Sequence, residues 1–296
     1  MKKVLFSGSG VAIVTPMSDD GINYDVLGDL IEFQIENGTD AIISCGTTGE
    51  SSTLSLKERE RVIKYTIGKV DGRVPVIVGC GSNNTRHALE LSKQAEDLGA
   101  DGLLIVTPYY NKASQDGLIK HYYYIADKVK TPIIVYNVPS RTGCNIFPKT
   151  YLELSKHENI CATKEASGDI SSAIKTAALC RDNLHIYSGN DDQIVPMMSV
   201  GAKGVISVFA NVCPKECHQM TSSFLDGDIK SSLEIQIKYF DLIEALFSDV
   251  NPIPVKEALN LMGFDCGKCR LPLSDMNDSL RVNLRDLLLK HGILKI

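Results

Sequence analysis

The chain has 296 residues, 44% of them apolar and 23% charged, with a formal net charge of -5. That length suits one large domain, or one with a smaller appendage, and the composition is that of a globular protein with a sizeable core. The mildly acidic balance, with no lysine/arginine stripe, argues against a nucleic-acid partner; the opening "MKKVLFSGSGVAIVTP" is too broken for a signal peptide and too short for a membrane span, so a cytoplasmic protein is expected.

In chain order, short apolar runs at 11–14, 74–78, 132–136, 160–164 and 185–188 read as strands. "NGTDAIISCGTTGE", "LGADGLLIVTPYY" and "VGAKGVISVFAN" repeat one phrase of helix end, glycine, turn and strand. Gly38, Gly99 and Gly201 in that phrase suit a left-handed helix C-cap. Between the strands lie helix-like segments; in "NTRHALELSKQAEDLGA", Ala88, Leu91, Ala95 and Leu98 recur at spacings of three and four. Eight continuous apolar strands alternating with helices predict an α/β fold, a closed (β/α)8 TIM barrel, over residues 1–224. A doubly wound sheet is disfavoured because no GxGxxG follows the first strand. From 225 to 296 no strand pattern recurs, and a small C-terminal helical domain is expected. There Leu233, Ile237, Phe240, Ile243 and Phe247 are expected on one helical stripe, and the tail as a whole should pack on the barrel or on a partner.

Nine dispersed cysteines read as reduced, buried thiols. Cys266 and Cys269 in "DCGKCR" have redox or metal spacing, but there is no second such pair and no nearby histidine. A Walker loop, HExxH and GxSxG are also missing, so no metal and no organic cofactor is expected.

In such a barrel, function gathers where strands end. Those ends read "CGTTGES", "TPYYN", "VYNVPSRTG", "TKEASGD", "SGND" and "ISVFAN". Lys164 falls in this set. A strand-end lysine is ordinarily solvated or salt-bridged, yet enclosure at a barrel mouth would disfavour its ammonium and free an amine for attack on a carbonyl. Glu165 is a possible partner, although adjacent strand residues face opposite ways. Tyr136, ending the adjacent strand, is either a core aromatic or a proton carrier beside a forming Schiff base. "GTTGE" is a tight turn or, through its backbone N–H groups and the hydroxyls of Thr47 and Thr48, a carboxylate cradle. Arg141 is a surface cation or a bidentate carboxylate binder. A small carboxylated carbonyl compound and a Schiff-base lysine fit these residues best.

Together, "GTTGES", "YYN" followed by "SQDG", "YNVPSRTG", "KEASGD" and "NPIPVK" closely resemble the dihydrodipicolinate synthase family, in the pyruvate-dependent class I aldolase group with N-acetylneuraminate lyase. The resemblance spans nearly the whole chain. It implies condensation of pyruvate with L-aspartate 4-semialdehyde, on the diaminopimelate route to lysine. It also implies that Lys164 forms the imine and that Tyr136 relays protons with Thr47 and Tyr110, the last from a neighbouring subunit. Thr48 and the backbone at Ile206 would hold pyruvate, Arg141 would meet the semialdehyde's carboxylate, and Gly189 would leave room beside the pyruvate. A homotetramer built as a dimer of dimers is implied, without cofactor or metal. "PSRTG" favours this reaction over sialic-acid cleavage; a non-catalytic carboxylate-sensing barrel is the reading from another class. Lysine-inhibited relatives carry histidines and a glutamate where this sequence has Leu56, Arg59 and His87, so weak or absent feedback by lysine is expected.

Overall fold

Eight short apolar runs become the parallel strands of a closed barrel in the computed structural model, which describes residues 2–294. The strands are β1 (Gly8–Ala12), β2 (Ala41–Ser44), β3 (Val76–Gly79), β4 (Gly102–Val106), β5 (Ile133–Asn137), β6 (Ile160–Glu165), β7 (His185–Ser188) and β8 (Gly204–Ser207). Each pairs with the next, and β8 closes on β1. The expected (β/α)8 barrel is borne out.

Alternation along each strand divides the core in two. Ala12, Ile43, Ile77, Leu104, Ile134, Ala162 and Ile206 fill the barrel interior, where Phe6 stacks on Tyr187 with ring centroids 4.4 Å apart. The neighbouring residues Val11, Ile42, Val76, Leu103, Ile133, Ile186 and Val205 face the helices. Successive side chains on a strand point to opposite faces, so one apolar run serves both layers.

The first strand begins earlier than the 11–14 run. Gly8 pairs with Gly204 across the closing seam, and a Cβ on Gly204 would stand 1.8 Å from the Gly8 carbonyl oxygen. The glycines that break the apolar run therefore belong to the strand, because only bare backbones fit where the barrel closes. Gly38, Gly99 and Gly201 take the left-handed conformation after their helices, with φ of 86°, 93° and 98°. On the helix Thr85–Asp97, Ala88, Leu91 and Ala95 are buried as the spacing predicts.

Past the helix Pro214–Leu225 come helices Ile229–Lys238, Phe240–Ala245, Ile253–Leu261 and Asp278–Lys290. Leu242, Leu246, Val255, Leu259, Leu284 and Leu288 join the same core as the barrel's outer face. The apolar stripe is a correction. The chain breaks at Tyr239 between two helices; Leu233, Ile237, Phe240 and Phe247 lie exposed, and of the stripe only Ile243 is buried. Periodicity marks which residues share a face, but not what covers it.

Candidate active site

Lys164 and Tyr136 are direct register partners on β6 and β5. Both are buried at the C-terminal ends of their strands, and the Lys164 Nζ lies 4.5 Å from the centroid of the Tyr136 ring. Burial lowers the Lys164 pKa to about 8; the Asp191 carboxylate raises it in part, and the Arg141 charge lowers it further. Enclosure raises the Tyr136 phenol, while Arg141 and the Thr47 side chain pull it the other way. The desolvation is what an amine nucleophile needs.

Glu165, one residue on, faces the helices instead. Its carboxylate accepts hydrogen bonds from Asn137 Nδ2 at 3.1 and 3.2 Å, from the Tyr151 hydroxyl at 2.8 Å and from the Ser167 N–H at 2.8 Å. It is a strut between strand and helix and makes no pair with Lys164, as strand alternation requires.

The loop after β2 carries Thr47 and Thr48 through a turn in which Cys45 and Glu50 both adopt positive φ, 54° and 53°. The Glu50 N–H donates to the Thr47 carbonyl at 3.0 Å, and the Thr15 hydroxyl donates to the Gly49 carbonyl at 2.8 Å. Thr48 is buried, and its hydroxyl accepts from Asn251 Nδ2 at 3.0 Å.

Arg141 sits on the short helix Pro139–Thr142, exposed, with one guanidinium nitrogen donating to the Asn251 carbonyl at 3.4 Å. Its field reaches both Lys164 and Tyr136. Ile206 is buried in the barrel interior. Gly189 follows β7, where a Cβ would meet that of Ala166 at 2.6 Å and Cγ of Lys164 at 3.1 Å. Tyr110 is not gathered with the others within the chain: it is 89% exposed, at a positive φ of 73°, with its N–H donating to the Thr142 carbonyl at 3.2 Å.

Two participants escaped the reading of the sequence. Asp191, in the turn after β7, is buried; its Oδ2 accepts the Val208 and Phe209 N–H groups at 2.9 Å each, and its charge acts on Lys164. The signal was the acid ending "SGND". Asn251, which grips Thr48, lies in "NPIPVK", a motif given no role. Among the described residues no group of three His, Cys, Asp or Glu side chains could hold a metal ion. Burial pushes the Cys266 and Cys269 thiols up to about 12, away from the thiolate that redox or zinc chemistry uses. Arg59 turns inward, donating to the Gly79 carbonyl at 2.7 Å.

A parallel (β/α)8 barrel with a desolvated lysine and a tyrosine at its C-terminal mouth defines a lyase of the class I aldolase type. The model of the dihydrodipicolinate synthetase family matches residues 5–291, and the chain belongs to that family. A 4-hydroxy-tetrahydrodipicolinate synthase of Thermoanaerobacter sp. (strain X514) is 54% identical over 292 residues, covering 98% of each chain. The crystal structure of dihydrodipicolinate synthase from Thermotoga maritima superposes with a TM-score of 0.97 at 43% identity, covering 98% of this chain and 100% of that one. The chloride-inhibited enzyme from Acinetobacter baumannii, solved in complex with pyruvate, superposes with a TM-score of 0.95 at 43% identity, covering 97% and 99%.

Proposed function

We propose that Lys164 is the Schiff-base lysine of a 4-hydroxy-tetrahydrodipicolinate synthase reaction, joining pyruvate to L-aspartate 4-semialdehyde. The activity is that of the relatives, which match this chain along nearly its whole length. The free Lys164 amine adds to the ketone of pyruvate, and water leaves. The protonated imine is an electron sink, so the methyl group loses a proton and becomes an enamine carbon. That carbon attacks the aldehyde of the second substrate. The adduct's amino group then closes on the imine carbon and expels Lys164, giving the hydroxylated heterocycle. The covalent bond itself supplies the activation, so the route calls on no metal or organic cofactor.

Tyr136 carries protons to and from the oxygen and nitrogen atoms of these intermediates, in relay with Thr47 and with Tyr110 of a neighbouring subunit. Thr48, the backbone around it and that of Ile206 hold the pyruvate carboxylate. Gly189 leaves room for the bound keto acid, and Arg141 receives the carboxylate of the semialdehyde. Tyr110 supports a shared site by its exposure in the single chain, and the reading carries a dimer of dimers. All eight of these residues lie in the barrel, residues 1–224, with 225–296 as a helical appendage. No helix among the described residues is long and apolar enough to cross a membrane, and we place the enzyme in the cytoplasm. Feedback by lysine is weak or absent in this reading, and strong inhibition in a lysine titration would refute that point.

The observation that carries the proposal is the buried Lys164 amine, lowered to about 8 and set opposite Tyr136. Borohydride reduction in the presence of pyruvate tests it: a reduced adduct is expected on Lys164. An unmodified chain, or an adduct on another side chain, refutes it.

A further inference from the structure

Glu50 and Lys256 form an ion pair buried almost completely, with side chains 1% and 2% exposed and Nζ 2.9 Å from Oε1. Both partners make further hydrogen bonds. The Lys256 ammonium also donates to the Lys268 carbonyl at 2.9 Å, and Glu50 Oε2 accepts the Arg270 N–H at 2.9 Å. Glu50 closes the turn that carries Thr47 and Thr48, while Lys256 lies one turn past Asn251, which holds the Thr48 hydroxyl. The helix Ile253–Leu261 and the turn that leads into it therefore grip one loop twice.

A buried pair returns little net stability, because removing two charges from water costs about what their attraction regains. Its effect lies in which arrangement it selects. The loop needs such selection: Cys45 and Glu50 sit in the left-handed region, which side-chain-bearing residues hold only when their surroundings over-determine it.

We propose that Lys256 and Glu50 are positioning residues: their buried ion pair braces the carboxylate-binding loop against the C-terminal segment and sets Thr48 and the backbone around it for the keto acid. The proposal rests on the reading of that loop as the pyruvate carboxylate site. Neither residue touches substrate. The pair acts through the loop backbone, so its loss weakens binding of the keto acid and spares the chemistry at Lys164.

A single neutralisation strands a buried charge and threatens the fold, so the test is the full-length double variant Glu50→Gln/Lys256→Met, with Thr48→Val beside it. KM for pyruvate should rise about tenfold or more in the double variant, with kcat at saturating pyruvate within about threefold of the parent and Lys164 still trapped by borohydride. A pyruvate KM unchanged in the double variant but raised by Thr48→Val overturns the brace alone. An unchanged KM in both overturns the carboxylate reading and the brace with it. A double variant that no longer folds also overturns the brace, since the pair would then sustain the whole fold rather than one loop.

Discussion

Lys164 and Tyr136 face each other across β6 and β5 as register partners, 4.5 Å from ammonium nitrogen to ring centroid. No loop intervenes, so their spacing is fixed by the hydrogen-bond ladder of the barrel rather than by a flexible segment. Replacing Lys164 by Ala should remove pyruvate trapping and lower turnover by on the order of a thousandfold or more, with the circular dichroism spectrum unchanged.

Imine formation needs the neutral amine. With Lys164 lowered to about 8, the rate of pyruvate trapping should climb as pH rises through that value and level off above it. Arg141 contributes to the lowering, so in Arg141→Ala the midpoint should move upward. The same variant should raise KM for the semialdehyde more than KM for pyruvate. A midpoint that stays fixed or falls would contradict this electrostatic assignment.

A lysine whose folded pKa lies below its unfolded value costs stability wherever the unfolded chain binds the extra proton. For Lys164 the ordinary value is 10.5 and the folded value about 8. The cost is fully present below pH 8 and fades as pH rises toward 10.5, so this group makes stability increase with pH across that window. Lys164→Met should therefore stabilise the fold by up to about 3 kcal/mol at pH 7, read by urea unfolding.

Gly189 has no room for a methyl group: its Cβ would fall 2.6 Å from that of Ala166 and 3.0 Å from the Glu165 carbonyl oxygen. Gly189→Ala should cost about 1–3 kcal/mol of stability by overpacking. Because Lys164 Cγ is also in the way, trapping should slow beyond what the loss of folded protein explains.

Tyr110→Phe should reduce turnover by on the order of a hundredfold if the phenol relays protons. Mixing that variant with Lys164→Ala distinguishes a shared site from one within a chain. Random reassortment of subunits should restore roughly a quarter of native activity, because half of the hybrids' sites regain both residues. No restoration would place Tyr110 outside the neighbour's site.

Local periodicity was legible along the chain. Apolar runs and capping glycines specify strands and helix ends within a few residues, and the residues at and just past the strand ends nominated Lys164, Tyr136, Thr47, Thr48 and Arg141. Asn251 and Lys256 were out of reach for a physical reason: they meet their partners 203 and 206 positions away. Nothing in the spacing of "NPIPVK" says which loop it will grip.

The sequence by itself determined the alternation of strand and helix, the residue types available at the strand ends and the separation of Lys164 from Glu165 onto opposite faces, all properties of neighbours in the chain. Only the tertiary structure decided the Lys164–Tyr136 register, the closure through Gly8 and Gly204, the outward turn of the Leu233 stripe and the pKa of the amine. Those depend on how much water the closed barrel excludes and which distant groups it brings alongside, quantities that exist only once every strand has found its partner.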